Sequence, residues 1–145
     1  MAEGDVLTFE EFTLTIGNGT HDLDTHSLKV ALLTNAVNPT AADTTPALGD
    51  YTECTAGGNY SAGGQALTVS YTEAAGVSTF QITANSSWTK QAGSPTNAYW
   101  GLVYNDTDVG KAAICFVDLG GPVDMTAVDL VINWGSSTVT VTRSS

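Results

Sequence analysis

The sequence predicts a mainly β protein, a single-domain antiparallel β-sandwich or partly closed barrel. Its apolar residues fall in short runs rich in β-branched and aromatic side chains, a length that suits strands better than helices. Turn-forming residues separate these runs, and the chain contains 15 glycines. Only 13% of the residues are charged, so much of the polar surface must come from Thr, Ser, Asn and backbone groups. These features together are typical of all-β domains.

The length and the pattern along the chain indicate one domain. With 145 residues the chain is long enough to bury a sizeable core. No internal repeat and no interdomain linker is visible. We predict an N-terminal arm at residues 1–8, followed by a single β domain at residues 9–145.

Residues 6–16, VLTFEEFTLTI, are compatible with two structures. Phe9, Phe12 and Ile16 recur at helical spacing, whereas the β-branched content favours a strand. We favour a short N-terminal helix over a strand. The Gly-Asn-Gly sequence at residues 17–19 ends the element in either case.

The first strand is predicted at residues 28–34, LKVALLT, where Lys29 is the only charge. A long irregular segment follows at residues 35–64. Pro39, Pro46 and several glycines leave little room for regular structure there. Because long loops in compact domains are usually functional, we expect this segment to contact other molecules.

A hairpin is predicted from two alternating runs, at residues 65–71 and 77–84. The Ala-Ala-Gly sequence at residues 74–76 turns the chain between them. Polar residues at 85–97 then form a loop that contains Trp88.

The centre of the sheet is predicted at residues 98–104 and 112–119. These apolar runs flank one polar loop, NDTDVGK, whose Asn, Asp and Gly residues tolerate turn geometry. The runs alternate little, which indicates that both faces of the strands are covered. We predict a long β-hairpin here.

A closing hairpin is predicted at the C-terminal end. Gly-Gly-Pro at residues 120–122 interrupts the chain, and apolar positions then recur at residues 128–134 and 138–143. Gly135-Ser136 has the Gly-X form of a two-residue type II′ turn.

The charge balance excludes two classes of partner. Four basic and fifteen acidic residues give a formal net charge of −11. A surface of that sign repels phosphate groups and anionic lipids, so we expect neither nucleic acid nor membrane as a partner. Cys54 and Cys115 lie in dissimilar settings and do not indicate a disulfide framework.

No pattern in the sequence indicates an enzyme. Nucleophilic catalysis needs a nucleophile, a base and an orienting group within reach of each other. The chain has only two histidines, His21 and His26, and both lie in one short segment. It contains no Gly-x-Ser-x-Gly sequence. We expect no catalytic activity and no cofactor.

The segment HDLDTH at residues 21–26 contains residue types that bind metals. Its Asp residues also suit an Asx-turn with Leu23 inserted into the core, and we favour that interpretation because no second ligand cluster is visible. Asp106 and Asp108 resemble part of a calcium loop but lack its terminal Glu. We predict no metal site.

The tryptophans leave carbohydrate binding open as an alternative. Exposed aromatic side chains stack on sugars in β-sandwich binding modules. Trp100 and Trp134 lie within apolar strands and are predicted to be core residues. Trp88 lies in a loop, so it is the candidate glycan contact.

Several short segments follow one another in a recognisable order. They are HDLDTHSLKVALLT, a Pro-containing loop, YSAGGQALT, the isolated Trp88, AYWGLVYND and AAICFVDLG. In this order they resemble a family of small structural proteins of tailed bacteriophages. Its members typically have a short N-terminal helix, a K-V-A-L-L strand, a Y-x-A-G-G segment, a Trp and two apolar strands. The resemblance covers roughly residues 9–143.

The resemblance implies a virion component. We expect a capsid decoration (cement) protein that binds the outer head surface and stabilises capsomer contacts. A tail, connector or fibre-associated protein is the alternative within the same virion. A carbohydrate-binding module for host attachment is the alternative of another class.

The implied partners are the major capsid protein and copies of the chain itself, as a homo-oligomer with a trimer favoured. The chain shows no signal peptide, so we expect synthesis in the host cytoplasm and a place on the virion. Flexible arms that order on binding cover large areas, which favours the arm and the long loop as contacts. The predicted subunit contacts are Glu3, Val6, Leu7, Pro39, Pro46, Leu48, Tyr51 and Tyr60.

Overall fold

The computed structural model describes residues 2–135 and 139–142. It confirms the predicted fold class, because these residues are mainly β, with antiparallel sheets, one short helix and no closed barrel. Helix α1 spans Phe12–Gly17. The strands are β1 (Val6–Thr8), β2 (Leu28–Leu33), β3 (Gln65–Ala66), β4 (Val69–Ala74), β5 (Val77–Ile82), β6 (Ser86–Trp88), β7 (Ala98–Asn105), β8 (Ala113–Val123), β9 (Leu130–Ile132) and β10 (Val139–Thr142).

The strands form three sheets within the described residues. The large sheet has the order β1-β8-β7-β2-β3, with β7 at its centre. The second sheet has the order β10-β5-β4, and β6 pairs with β9 in the third. Side chains from all three sheets share one buried cluster, so the small sheets pack on one face of the large sheet. The result is a sandwich-like domain.

The predicted central hairpin is confirmed. β7 pairs with β8 on one edge and with β2 on the other. Val103 and Cys115 belong to the main cluster between the sheets. Leu102 and Phe116 belong to a second cluster on the opposite face. Burial of both faces explains the continuous apolar runs of these strands.

Residues 6–16 form both of the structures considered for them. β1 pairs with β8 in the large sheet, and the predicted short helix is present as α1. Residues 6–8 of the predicted arm are therefore strand residues of the sheet. Val6 packs against the main cluster, and this burial of an apolar side chain favours the strand.

The predicted hairpin in the middle of the chain is confirmed for β4 and β5, which pair around Ala75 and Gly76. Both turn residues have positive φ, 52° and 83°. A two-residue type I′ turn requires this conformation. Gln65 and Ala66 belong elsewhere, because β3 pairs with β2 in the large sheet.

The predicted closing hairpin is wrong. β9 pairs with β6, whereas β10 pairs with β5 in a different sheet. Leu130 and Ile132 are buried in the main cluster, so burial between the sheets outweighs the local turn signal. Ser136, the second residue of the predicted turn, lies outside the described residues.

Cys54 and Cys115 are both buried as free thiols. Cys115 lies on β8 at the centre of the domain, and Cys54 lies in the long loop. Desolvation raises the pKa of Cys54 to about 11 and that of Cys115 to about 12. Both groups are therefore protonated thiols at neutral pH.

Candidate interaction surface

The glycine-rich part of the long loop is fastened to β2 by one hydroxyl group. Tyr60 Oη accepts a hydrogen bond from the Leu32 backbone N–H at 2.9 Å and donates one to Glu53 Oε1 at 2.6 Å. The same Glu53 oxygen accepts from the Gly63 N–H at 2.6 Å. Burial and the Glu53 carboxylate raise the pKa of Tyr60, so it remains a donor.

The next two glycines bring the loop against two strands of the sheet. Tyr104 Oη on β7 donates a hydrogen bond to the Gly63 carbonyl oxygen at 2.7 Å. Gly64 has φ +75°, and a Cβ atom there would overlap the carbonyl group of Val30 on β2. The second glycine of the Y-x-A-G-G segment is therefore required by the close approach of two backbones.

Trp88 completes this unit from the other side. Its ring lies 6.3 Å from the ring of Tyr60, and only 3% of the residue is exposed. Trp88 thus lacks the solvent exposure that the carbohydrate-binding alternative requires of it. It belongs to the strand β6, which pairs with β9 and faces the main cluster. A buried ring cannot stack on a sugar from solvent.

Removing the Tyr60 hydroxyl should destabilise the fold without changing its shape. Tyr60→Phe leaves the buried Leu32 N–H without its acceptor, which costs about 1–3 kcal/mol in the free energy of unfolding. Urea denaturation followed by circular dichroism measures this loss. Tyr99→Phe is the matched control, because Tyr99 is half-buried and its hydroxyl bonds to no described residue. Equal effects of the two substitutions would contradict the role given to Tyr60.

Half of the predicted subunit contacts are buried within the domain itself. The long loop covers the apolar face of the sheet around Leu33 and Phe116, and this requires its own apolar residues. Tyr51, for example, packs on Phe9 and donates a hydrogen bond to Asp43 at 2.7 Å. The buried members of the predicted set, which are removed from it, are Pro39, Pro46, Tyr51 and Tyr60. Leu48 and Val6 are half-buried, whereas Glu3 and Leu7 are exposed.

The carboxylates of the 105–112 loop hold the central hairpin together. Asp106 forms ion pairs with Lys29 at 3.0 Å and with Lys111 at 2.8 Å, and these bonds lower its pKa. Asp108 Oδ2 accepts a hydrogen bond from the Ala112 N–H. Across the described part of the chain, no group of three or more His, Cys, Asp or Glu side chains is placed to hold a metal ion.

The segment at residues 21–26 forms the Asx-turn that was favoured for it. Asp22 Oδ1 accepts hydrogen bonds from the backbone N–H groups of Asp24 and Thr25. Leu23 is buried in the main cluster, as predicted. The turn therefore anchors the start of β2 by a local polar contact and one apolar side chain.

His21 is a buried neutral imidazole. Its ring stacks on Phe12 at 5.9 Å, and its Nδ1 lies 3.3 Å from Asn105 Nδ2. The Asn105 amide has a fixed orientation, because its Oδ1 accepts the N–H groups of Thr107 and Asp108. The Asn105 Nδ2 group therefore points toward the histidine. Desolvation lowers the pKa of His21 from 6.5 to about 4.

The buried His21 predicts a loss of stability in mild acid. The unfolded chain binds a proton near pH 6.5 and the folded chain only near pH 4, so the free energy of unfolding falls as the pH falls through this interval. His21→Gln should lose less stability than the wild type between pH 7 and pH 5, as measured by urea denaturation at both pH values. The same loss in both proteins would contradict this assignment.

The N-terminal edge of the large sheet is an exposed surface with a groove that the sequence did not predict. β1 borders the sheet, and a groove of about 280 Å³ lies between residues 3–4, β8 and β9. The groove depends on the placement of β9 beside β8, which no local pattern indicates. The prediction of the N-terminal arm as a contact segment, with Glu3, Val6 and Leu7, pointed to this end of the chain.

Within the described residues, no helix has the length and apolar character needed to cross a membrane. In comparisons with known proteins, no family model, no curated protein and no solved structure matches the chain. The function is therefore inferred from the residues and their geometry.

Proposed function

We propose that the chain is a structural protein of a tailed-bacteriophage virion, and most specifically a capsid decoration protein on the outer head surface. The observation that carries this proposal is that the segments resembling that family form one interlocked unit. Tyr60 binds β2, Gly63 binds Tyr104 on β7, Gly64 packs against Val30, and Trp88 packs on Tyr60. Each of these segments is short and weakly specific by itself. Their contacts with one another give a structural reason for their occurring together.

The surface chemistry agrees with an outer position. Asp106 binds both Lys29 and Lys111, so two of the four basic residues are already held in ion pairs within the fold. The strongly acidic surface that remains is repelled by packaged DNA. Contact with other protein, without nucleic acid, membrane or cofactor, is the interaction that suits it. We propose no enzymatic activity.

A tail, connector or fibre-associated role is the second candidate in the same virion. The carbohydrate-binding alternative loses its specific basis, because Trp88 is buried. The capsid role also proposes the major capsid protein as the partner and self-association, with a trimer favoured, on the head.

The copy number and position of the chain on purified virions test the proposal. Quantitative mass spectrometry should give many copies per particle, and cryo-electron microscopy should place them over the head. Heads lacking the protein should release DNA at a lower temperature than complete heads. A few copies at one vertex or on the tail would favour the second candidate, and absence from the particle would reject both.

A further inference from the structure

The outer edge of β1 is open for pairing. Asp118 N–H donates to the Asp5 carbonyl, and Phe9 N–H donates to the Ile114 carbonyl, so between residues 5 and 9 the backbone groups of the odd-numbered residues point toward β8. Backbone groups alternate between the two edges of an antiparallel strand. The N–H and C=O groups of Val6 and Thr8 therefore point away from the sheet, where no described strand pairs with them.

An apolar row begins at this edge. Leu7 lies opposite Phe116 on β8, and the Phe116 ring lies 6.0 Å from the ring of Trp100 on β7. Phe116 is buried, but 42% of Leu7 is exposed. A strand added outside β1 would place a side chain beside Leu7 and remove this apolar surface from water.

In the second sheet, the border strand with described side chains, β4, lacks this feature. It is longer than β1, but no large apolar side chain on it is exposed. Its Glu73 carboxylate is used within its own turn, where it accepts the Gly76 N–H at 2.6 Å. The β4 edge therefore offers backbone groups without an apolar contact beside them.

The groove next to β1 suits a basic side chain. The Glu3 carboxyl lies against Gly120, and Asp118 accepts the Gly120 N–H at 2.8 Å, so two carboxylates meet at one wall. An Arg or Lys side chain has an apolar stem and a cationic head, which match an apolar floor and an acidic wall. The apolar floor consists of Val117, Leu119, Leu130 and Ile132.

Charge argues against a second copy of the chain as the occupant. Two copies paired antiparallel about Leu7 would bring Glu3 and Asp5 of one copy to Glu10 and Glu11 of the other. Like charges on facing strands are destabilising. Residues 1–28 contain no Lys or Arg that could compensate.

We infer that the outer edge of β1 receives an extended, basic segment of a partner chain as an additional strand. Its backbone pairs with Val6 and Thr8, one apolar side chain packs on Leu7, and one Arg or Lys side chain enters the groove beside Glu3 and Asp118. The inference rests on the proposed function for the source of the strand, a capsid subunit. Main-chain bonds supply affinity in this mode, and side-chain pockets supply specificity.

A peptide titration of the purified protein tests this inference. The probe is acetyl-Lys-Val-Arg-Val-Lys-Val-amide, and its counterpart carries Glu at each basic position. In spectra of ¹⁵N-labelled protein, the basic peptide should shift the amide signals of Val6 and Thr8, and the acidic peptide should not. Glu3→Lys/Asp5→Lys should weaken binding by at least about tenfold. Asp24→Lys, a change of the same sign at an exposed loop residue, should weaken it less than about twofold.

A backbone variant separates strand pairing from general attraction between charges. Thr8→Pro removes an N–H that points outward and leaves the bonds of Leu7 to β8 in place, so it should abolish the shift at Val6. If Thr8→Pro does not fold, the comparison of Glu3→Lys/Asp5→Lys with Asp24→Lys still tests the inference.

Three results would overturn the inference: equal binding of both peptides, shifts centred on β4, or dimerisation through β1 without peptide. The copy number on virions tests whether a capsid subunit is the source of the strand, whereas the peptide titration tests whether the β1 edge accepts a strand. Failure of the proposed function can therefore be distinguished from failure of this inference.

Discussion

Gly64→Ala should lower the free energy of unfolding by about 2–4 kcal/mol, or prevent folding altogether. Gly64 has φ +75°, a conformation that disfavours alanine, and a Cβ atom there would overlap the Val30 carbonyl group. The backbone of β2 cannot move away, because it is bonded to β7 on its other edge. The loop must therefore retreat, which breaks the bonds around Tyr60 and Gly63.

The matched control lies in the same loop. Gly49 has no heavy atom within 4 Å of its Cβ position and no positive φ. Gly49→Ala should change the unfolding free energy by less than about 0.5 kcal/mol in urea denaturation. If Gly64→Ala were as stable as Gly49→Ala, the close packing of the loop on β2 would be wrong.

Trp88→Ala should lower the free energy of unfolding by about 3–5 kcal/mol, because it removes a large side chain from a cluster shared by three sheets. The neighbouring Tyr60 and Leu130 cannot close the space without shifting the loop and the strand that hold them. Chemical denaturation measures this loss of stability. The folded variant should fluoresce less than the folded wild type, because it lacks one of the three tryptophans.

Trp100→Ala provides the comparison for Trp88. Trp100 is half-buried at the edge of the second cluster, and its Nε1 donates to Asn38 at 3.0 Å. The same deletion should therefore cost less at Trp100 than at Trp88. A stable Trp88→Ala protein, together with glycan quenching of the wild-type fluorescence, would restore carbohydrate binding as a candidate.

The central strands could be predicted because each one is marked by a continuous apolar run in the sequence. β2, β7 and β8 are covered on both faces, so nearly every side chain is apolar and the runs stand out from their polar surroundings. The β4–β5 turn was equally readable, because Gly76 supplies the positive φ that the turn needs.

The remaining features depend on contacts between distant residues. Tyr60 was expected on the surface because it lies in a glycine-rich loop, yet its partner Leu32 is 28 residues away. His21 meets Asn105 across 84 residues. The closing hairpin was predicted from a turn signal, but burial of Ile132 beside β6 decided the pairing. No local pattern carries this information.

The reactivity of the two buried thiols can be used to measure local opening of the domain. Thiol reagents attack the thiolate, which neither Cys54 nor Cys115 forms while it is buried. The rate at which a reagent labels each thiol therefore reports how often the structure around that cysteine opens. Cys54 lies in the loop fastened by Tyr60, whereas Cys115 lies in the middle of the large sheet. If the loop detaches as a separate cooperative unit, Cys54 is modified faster than Cys115, and the ratio of the two rates gives the difference in free energy between that sub-global event and the opening that exposes Cys115.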